Sequence, residues 1–243
     1  MKAIVLGATG LVGTQLLELL STDSNFSKAL CPTRRTPEQL IHKMQVNKLT
    51  DNSIKNGALT DKYKAELQKD LTLFNPKETI VFCCLGTTIK KARSKEQFRF
   101  VDQEMVLAFA KFFAEWGAPQ FWMVSASGAD ANSSIFYSKV KGETELALQE
   151  LNFKTLGIVR PSLLLGKRNE FRFGEKLATW LSPLISPFLV GSLKKYHPIK
   201  ARQVAHAMRT ASLHFAGVKE HIQLKKQTDT CTVILENNTL LEI

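Results

Sequence analysis

Cysteine is scarce, and none of it stands in a chemically active spacing. Cys31, Cys83, Cys84 and Cys231 are the only four in 243 residues. No two form a C-x-x-C pair, and Cys83 and Cys84 are neighbours in an apolar run, where adjacent side chains point to opposite faces. This argues against a metal knuckle or a disulfide framework, and the thiols read as buried and reduced. Long apolar runs are missing too. Residues 2–6 are apolar but break at Gly7 and lack a secretory cleavage pattern, so a cytoplasmic protein is expected. The longest uncharged stretch, residues 177–193, is shorter than the ~20 residues of a spanning helix, and Pro183 and Pro187 interrupt it. No transmembrane span is expected. The stretch suits a lid, a contact with a protein partner or second copy, or a peripheral membrane contact. Acidic residues are the scarcer charge, 22 against 33 basic ones, giving a formal net charge of +11. Such an excess draws polyanions. The cations are spread along the chain without interleaved aromatics, which argues against nucleic acid.

What is present is enough apolar material, 44% of residues, to bury one core. No repeat is visible. Short apolar runs alternate with helical patterns, the signature of a parallel sheet covered on both faces. Strands are expected at residues 2–6, 28–33, 46–49, 79–85, 121–125 and 154–160. Helices are expected from Leu11 to near Ser21, over 96–116, over 136–151 and over 202–215. The fold class is therefore α/β, a doubly wound parallel sheet in one domain over residues 1–243. Residues 161–243 form a small substrate-side lobe in this reading.

The first strand runs into Gly7-Ala8-Thr9-Gly10-Leu11-Val12-Gly13. Gly7 permits a tight strand-to-helix turn, Gly10 lets a pyrophosphate approach the backbone, and Gly13 lets helix and strand pack closely. Helix-terminal N–H groups then face the negative charge. This is the dinucleotide-binding turn of a Rossmann fold, in the strand–turn–helix context that gives it meaning. At the end of the second strand, where an NAD site carries an acid for the ribose hydroxyl, the chain has Arg34 and Arg35. A guanidinium fork suits the 2′-phosphate of NADP(H).

Tyr137 and Lys141 are four residues apart and share one helix face. An ammonium beside a phenol favours the phenolate and suits proton exchange with a carbonyl or alcohol. A hydroxyl donor is expected at the end of the fifth strand, from Ser125 or Ser127, with Ser125 preferred.

Taken together, these residues resemble the short-chain dehydrogenase/reductase superfamily in its atypical or extended branch. They are most similar to the Tat-interacting-protein oxidoreductase family. The likeness covers roughly residues 1–210. It includes the glycine turn, Arg34-Arg35, the run from Phe82 to Thr88, Ser127-Gly128-Ala129-Asp130, residues 137–143 and Arg160-Pro161. It implies that Thr9, Gly10, Leu11 and Val12 line the pyrophosphate and that Leu85 and Gly86 pass the adenosine ribose. It implies further that Lys141 also binds the nicotinamide ribose, that Leu164 faces the nicotinamide, and that Arg172 closes over the cofactor. The function implied is hydride transfer between NADPH and a small carbonyl or alcohol. The chain departs from the pattern at Ala126, where relatives have a second serine, at Ala58, where many place an adenine-contacting aspartate, and at Asp102, where some use asparagine. Two alternatives stand beside this reading. One is a cofactor-binding regulator or redox sensor with little turnover; the other is an enzyme like the nucleoside-diphosphate-sugar epimerases.

Overall fold

In a computed structural model, the described residues are 1–37, 43–166, 197–218 and 232–243. Seven parallel strands form the central sheet, β1 (Lys2–Leu6), β2 (Lys28–Thr33), β3 (Met44–Lys48), β6 (Thr79–Cys83), β7 (Gln120–Val124), β8 (Thr155–Arg160) and β11 (Thr232–Glu236). Their spatial order is β11-β8-β7-β6-β1-β2-β3. Two small ribbons accompany it: β4 (Ile54–Lys55) with antiparallel β5 (Ala58–Leu59), and β9 (Leu164–Leu165) with parallel β10 (Ile199–Lys200).

Alternation along the strands explains the two layers. Ile4, Leu6, Val81, Cys83, Phe121 and Met123 point into one core, beneath α2 (Asp61–Leu71), α5 (Met105–Glu115) and α6 (Phe136–Gln149). Ala3, Val5, Ile80, Phe82 and Trp122 point into the other, beneath α1 (Leu11–Thr22) and α7 (Ala201–Phe215). A strand buried on both faces reads as a continuous apolar run, which is what the sequence shows. Each fully buried large side chain contributes about 1.5–3 kcal/mol.

Two elements differ from expectation. The helix expected over 96–116 is broken into α4 (Lys95–Arg99), a π turn (Phe100–Glu104) and α5. A π turn adds one residue to the turn, which the apolar spacing absorbs while Asp102 swings inward. The other is the edge strand β11, contributed by the chain's last residues. It pairs with β8 in register from Thr232↔Leu156 to Glu236↔Arg160 and is followed by α8 (Asn237–Glu242). Among the described residues no helix is long and apolar enough to cross a membrane. The 177–193 stretch, Arg172 and Cys231 lie outside the described residues.

Candidate active site

The order of strands reverses between β1 and β6, so their C-terminal ends flank the crevice where open α/β sheets bind ligands. Gly7 ends β1 at φ +74°, and a Cβ there would sit 2.5 Å from the Cys84 carbonyl oxygen. No other residue fits. A Cβ on Gly13 would meet the Gly7 oxygen at 2.2 Å, so Gly13 sets how closely α1 approaches the turn. Gly10 caps α1 without a side-chain hydrogen bond, and no acidic residue occupies the first turn. The Gly10 amide donates to the Gly7 carbonyl at 2.9 Å, while the Leu11 and Val12 amides, just after Thr9 and Gly10, open the helix uncapped, the arrangement that receives an anion. At the end of β2, Arg34 and Arg35 are exposed. Thr33 braces that turn, its Oγ1 donating to the Arg35 carbonyl at 2.8 Å. Leu85 is half-buried and Gly86 exposed, next to the turn at the end of β6. Leu164 begins β9, and Gly166 just beyond it packs on Leu11, so the two loops meet.

Across the crevice, α6 carries Tyr137 and Lys141. Its approach depends on Gly142, where a Cβ would fall 2.1 Å from the Ala131 amide nitrogen. That contact, with the Asp130 amide donating to the Ser138 carbonyl at 3.1 Å, seats the helix on the loop after β7. Tyr137 is half-buried, its ring 5.6 Å from that of Phe98. Its hydroxyl has no partner among the described residues. Lys141 is buried and pairs with Asp102 at 2.7 Å, the two side chains 4% and 1% exposed. Burial pushes the lysine's pKa down, but the Asp102 carboxylate, with Tyr137 and Cys83 adding smaller effects, outweighs it and holds the ammonium above its ordinary value. The other Asp102 oxygen accepts the Thr87 amide at 2.8 Å.

The serines separate. Ser125, the preferred donor in the sequence, is buried and gives its one hydroxyl proton to Glu145, while its amide donates to the Val159 carbonyl at 2.7 Å. Glu145 is held in turn by Arg160, which also reaches Glu236 at 2.9 Å. Ser127 is half-buried, with its amide on the Pro161 carbonyl at 2.9 Å and its hydroxyl uncommitted among the described residues. Sequence reasoning missed Glu145 and Gly142. Both are buried on α6; Glu145 lies four residues after Lys141, the helical spacing that could have found it, whereas Gly142 carries no such spacing signal.

Comparison with known proteins adds ancestry to this geometry. The chain is 32% identical over 200 residues to protein FMP52 of Lodderomyces elongisporus, covering 78% of this chain and 82% of that one. It is 34% identical over 177 residues to HTATIP2 of Rattus norvegicus, covering 73% and 68%. The chain belongs to the FMP52–HTATIP2 family. No protein-family model matches it. Among solved structures, a UDP-glucose 4-epimerase superposes with a TM-score of 0.65 at 13% identity, covering 98% of this chain and 78% of that one. Another, from Thermotoga maritima with UDP-glucose, gives 0.63 at 13%, covering 100% and 92%. Identity this low establishes the Rossmann fold alone. The relatives also correct one expectation. The fungal FMP52 proteins are named mitochondrial, which overturns the cytoplasmic reading. That reading rested on the missing secretory pattern, and such a pattern has no bearing on mitochondrial association.

Proposed function

We propose that this FMP52–HTATIP2 family member is an NADPH-dependent oxidoreductase that interconverts a small carbonyl compound and its alcohol at the β1–β6 crevice. The observation that carries the reading is the buried Lys141 ammonium, one helical turn from a Tyr137 hydroxyl that no group among the described residues occupies. The residues of the crevice fit the cofactor. Gly7, Gly10 and Gly13 form a cradle that side chains would fill, and the uncapped start of α1 suits the pyrophosphate at Thr9 to Val12. Arg34 and Arg35 suit the 2′-phosphate, Leu85 and Gly86 the adenosine ribose, and Leu164 the nicotinamide side. Arg172 keeps its place in the proposal as a closing residue.

Bound NADPH supplies the hydride. Tyr137 gives its proton to the carbonyl oxygen in reduction and takes it back in oxidation. Lys141 stabilises the phenolate left behind and hydrogen-bonds the nicotinamide ribose. Because the Ser125 proton is spent on Glu145, the hydroxyl that fixes the substrate oxygen is assigned to Ser127 instead. The same observation favours a second reading, a cofactor-binding protein of low turnover, since a committed serine weakens the site. By the names of its fungal relatives, the protein is proposed to associate with mitochondria, which cell fractionation tests.

Calorimetry with NADPH and NADH, on the protein and on Arg34→Ala/Arg35→Ala, tests the cofactor assignment. NADPH is expected to bind at least about tenfold tighter, with the preference lost in the double variant. Binding of neither nucleotide would refute the function. Turnover of a carbonyl panel, abolished by Tyr137→Phe, separates the enzyme from the low-turnover reading.

A further inference from the structure

The π turn between α4 and α5 delivers a carboxylate to the centre of the crevice, and that carboxylate makes two separate attachments. Asp102 Oδ1 lies 2.7 Å from Lys141 Nζ, and Oδ2 accepts the Thr87 amide at 2.8 Å. A Cβ on Gly86 would lie 3.4 Å from Asp102 Oδ1 and 3.9 Å from Lys141 Nζ, so the Leu85–Gly86 backbone runs directly over the pair. Thr144 Oγ1 donates to the Val140 carbonyl of its own helix at 2.7 Å and lies 3.4 Å from the Asp102 carbonyl, so the π turn packs against α6 there. An ammonium 4% exposed stays charged only beside a counter-charge. The groups that face it are Asp102 from the π turn, Tyr137 from its own helix and Cys83 from β6. Glu145, the next buried acid on α6, is matched by Arg160, and Glu143 by Arg99 at the surface. Asp102 is therefore the only carboxylate paired with Lys141 among the described residues.

We propose that Asp102 is the positioning residue of this site: it keeps Lys141 charged and aimed at the crevice, and it locks the β6–α3 loop, where α3 is Ile89–Ala92, to the helix bearing Tyr137. The catalytic part of this assignment rests on the oxidoreductase reading; the electrostatic part does not. Asparagine separates the two attachments, because its carbonyl still accepts the Thr87 amide while the charge is gone. Alanine removes both.

The test follows the Lys141 side-chain nitrogen by NMR through a pH titration, with the signal assigned by Lys141→Met. In the native protein Lys141 is expected to titrate above the exposed lysines. In Asp102→Asn its midpoint is expected to fall below that of the exposed lysines, since burial then acts unopposed. Exchange of the Thr87 amide is expected to stay slow in Asp102→Asn and to quicken about tenfold in Asp102→Ala. A native midpoint at or below that of the exposed lysines overturns the proposal even if the variants fail to fold. So does an unmoved midpoint in Asp102→Asn, or a Thr87 amide indifferent to both changes. None of these readouts uses a cofactor. If NADPH fails to bind while the midpoint shifts as expected, the activity reading falls and the electrostatic role of Asp102 stands. If NADPH binds, kcat of Asp102→Asn is expected to fall about tenfold or more, and to decline further as pH rises through the lowered Lys141 midpoint. A kcat that follows the native pH profile overturns the positioning role.

Discussion

Replacing Arg160 with methionine should destabilise the fold out of proportion to its place near the surface. Arg160 ends β8 and grips two acids of different exposure. Glu145 on α6 is 3% exposed and takes three of its hydrogen bonds, while Glu236 at the end of β11 is 41% exposed and takes one at 2.9 Å. Hydrogen bonding and charge from Glu145 raise the guanidinium's pKa further above its ordinary value, so it carries its charge at every accessible pH. Methionine keeps the packing of the stem and removes the charge. Glu145 is then buried with only the Ser125 hydroxyl, and breaking a buried pair in this way costs about 3–5 kcal/mol. Against a total stability of about 5–15 kcal/mol, that is a large share. Glu236→Gln breaks a half-exposed pair and should cost no more than about 1 kcal/mol. Arg160→Met/Glu145→Gln, which leaves no unmatched charge, should recover about half or more of the loss. Urea unfolding with linear extrapolation measures all three. Equal losses for Arg160→Met and Glu236→Gln would refute the reasoning, as would a loss under about 1 kcal/mol for Arg160→Met.

Two further outcomes are expected. Gly142→Ala gains up to about 1 kcal/mol of helix propensity but drives a Cβ to 2.1 Å from the Ala131 nitrogen, so a net loss of about 1–3 kcal/mol is expected by the same unfolding assay. Asp23 is pushed up by burial, but Arg209 and Asn25 outweigh this and hold it below the ordinary carboxylate range. Its folded pKa being the lower one, the stability it adds is present above the unfolded value near 3.8 and is lost as pH falls through the folded value. The deficit of Asp23→Asn should therefore be full at pH 7 and fade only as pH falls below 3.8 in an acid-unfolding series.

The parts of the fold that were legible in the sequence are those set by local periodicity. β1, β6 and β7 are continuous apolar runs because both faces are buried, and α6 follows from the spacing of Val140, Thr144 and Leu148. The glycine turn was legible because a Cβ at Gly7 or Gly13 collides with backbone, a constraint carried by residue type alone. What escaped depends on partners distant in sequence. Arg99, Asp102 and Glu104 look like the polar side of one long helix, and only the extra residue of the π turn sends Asp102 inward to meet Lys141, 39 positions later. β11 is a five-residue strand whose alternating burial fits an exposed edge as well as it fits a sheet, and its place is settled by pairing with β8. The preference between the two serines had no local signal to rest on for the same reason. Two hydroxyls two residues apart are equivalent in sequence, and the distinction lies in Glu145, twenty residues on.

That distinction can be measured. Ser125→Ala removes a donor to a buried carboxylate that keeps Arg160, so the expected loss is that of one charge-assisted hydrogen bond, about 1.5–3 kcal/mol of stability. If the Ser125 proton stays on Glu145, turnover at saturating NADPH should stay within about threefold of the native value once the folded fraction is matched. Ser127→Ala touches no buried polar group, so stability should change by no more than about 0.5 kcal/mol. If Ser127 fixes the substrate oxygen, kcat should fall by about a hundredfold or more, the usual cost of one donor at a developing oxyanion. The two variants thus exchange phenotypes, one losing stability and the other losing rate. If Ser125→Ala loses rate and keeps its stability, the hydroxyl must leave Glu145 during turnover, and the donor is Ser125 after all. If neither variant loses rate, the site holds its substrate through Tyr137 alone, and the low-turnover reading gains the ground that the enzyme reading gives up.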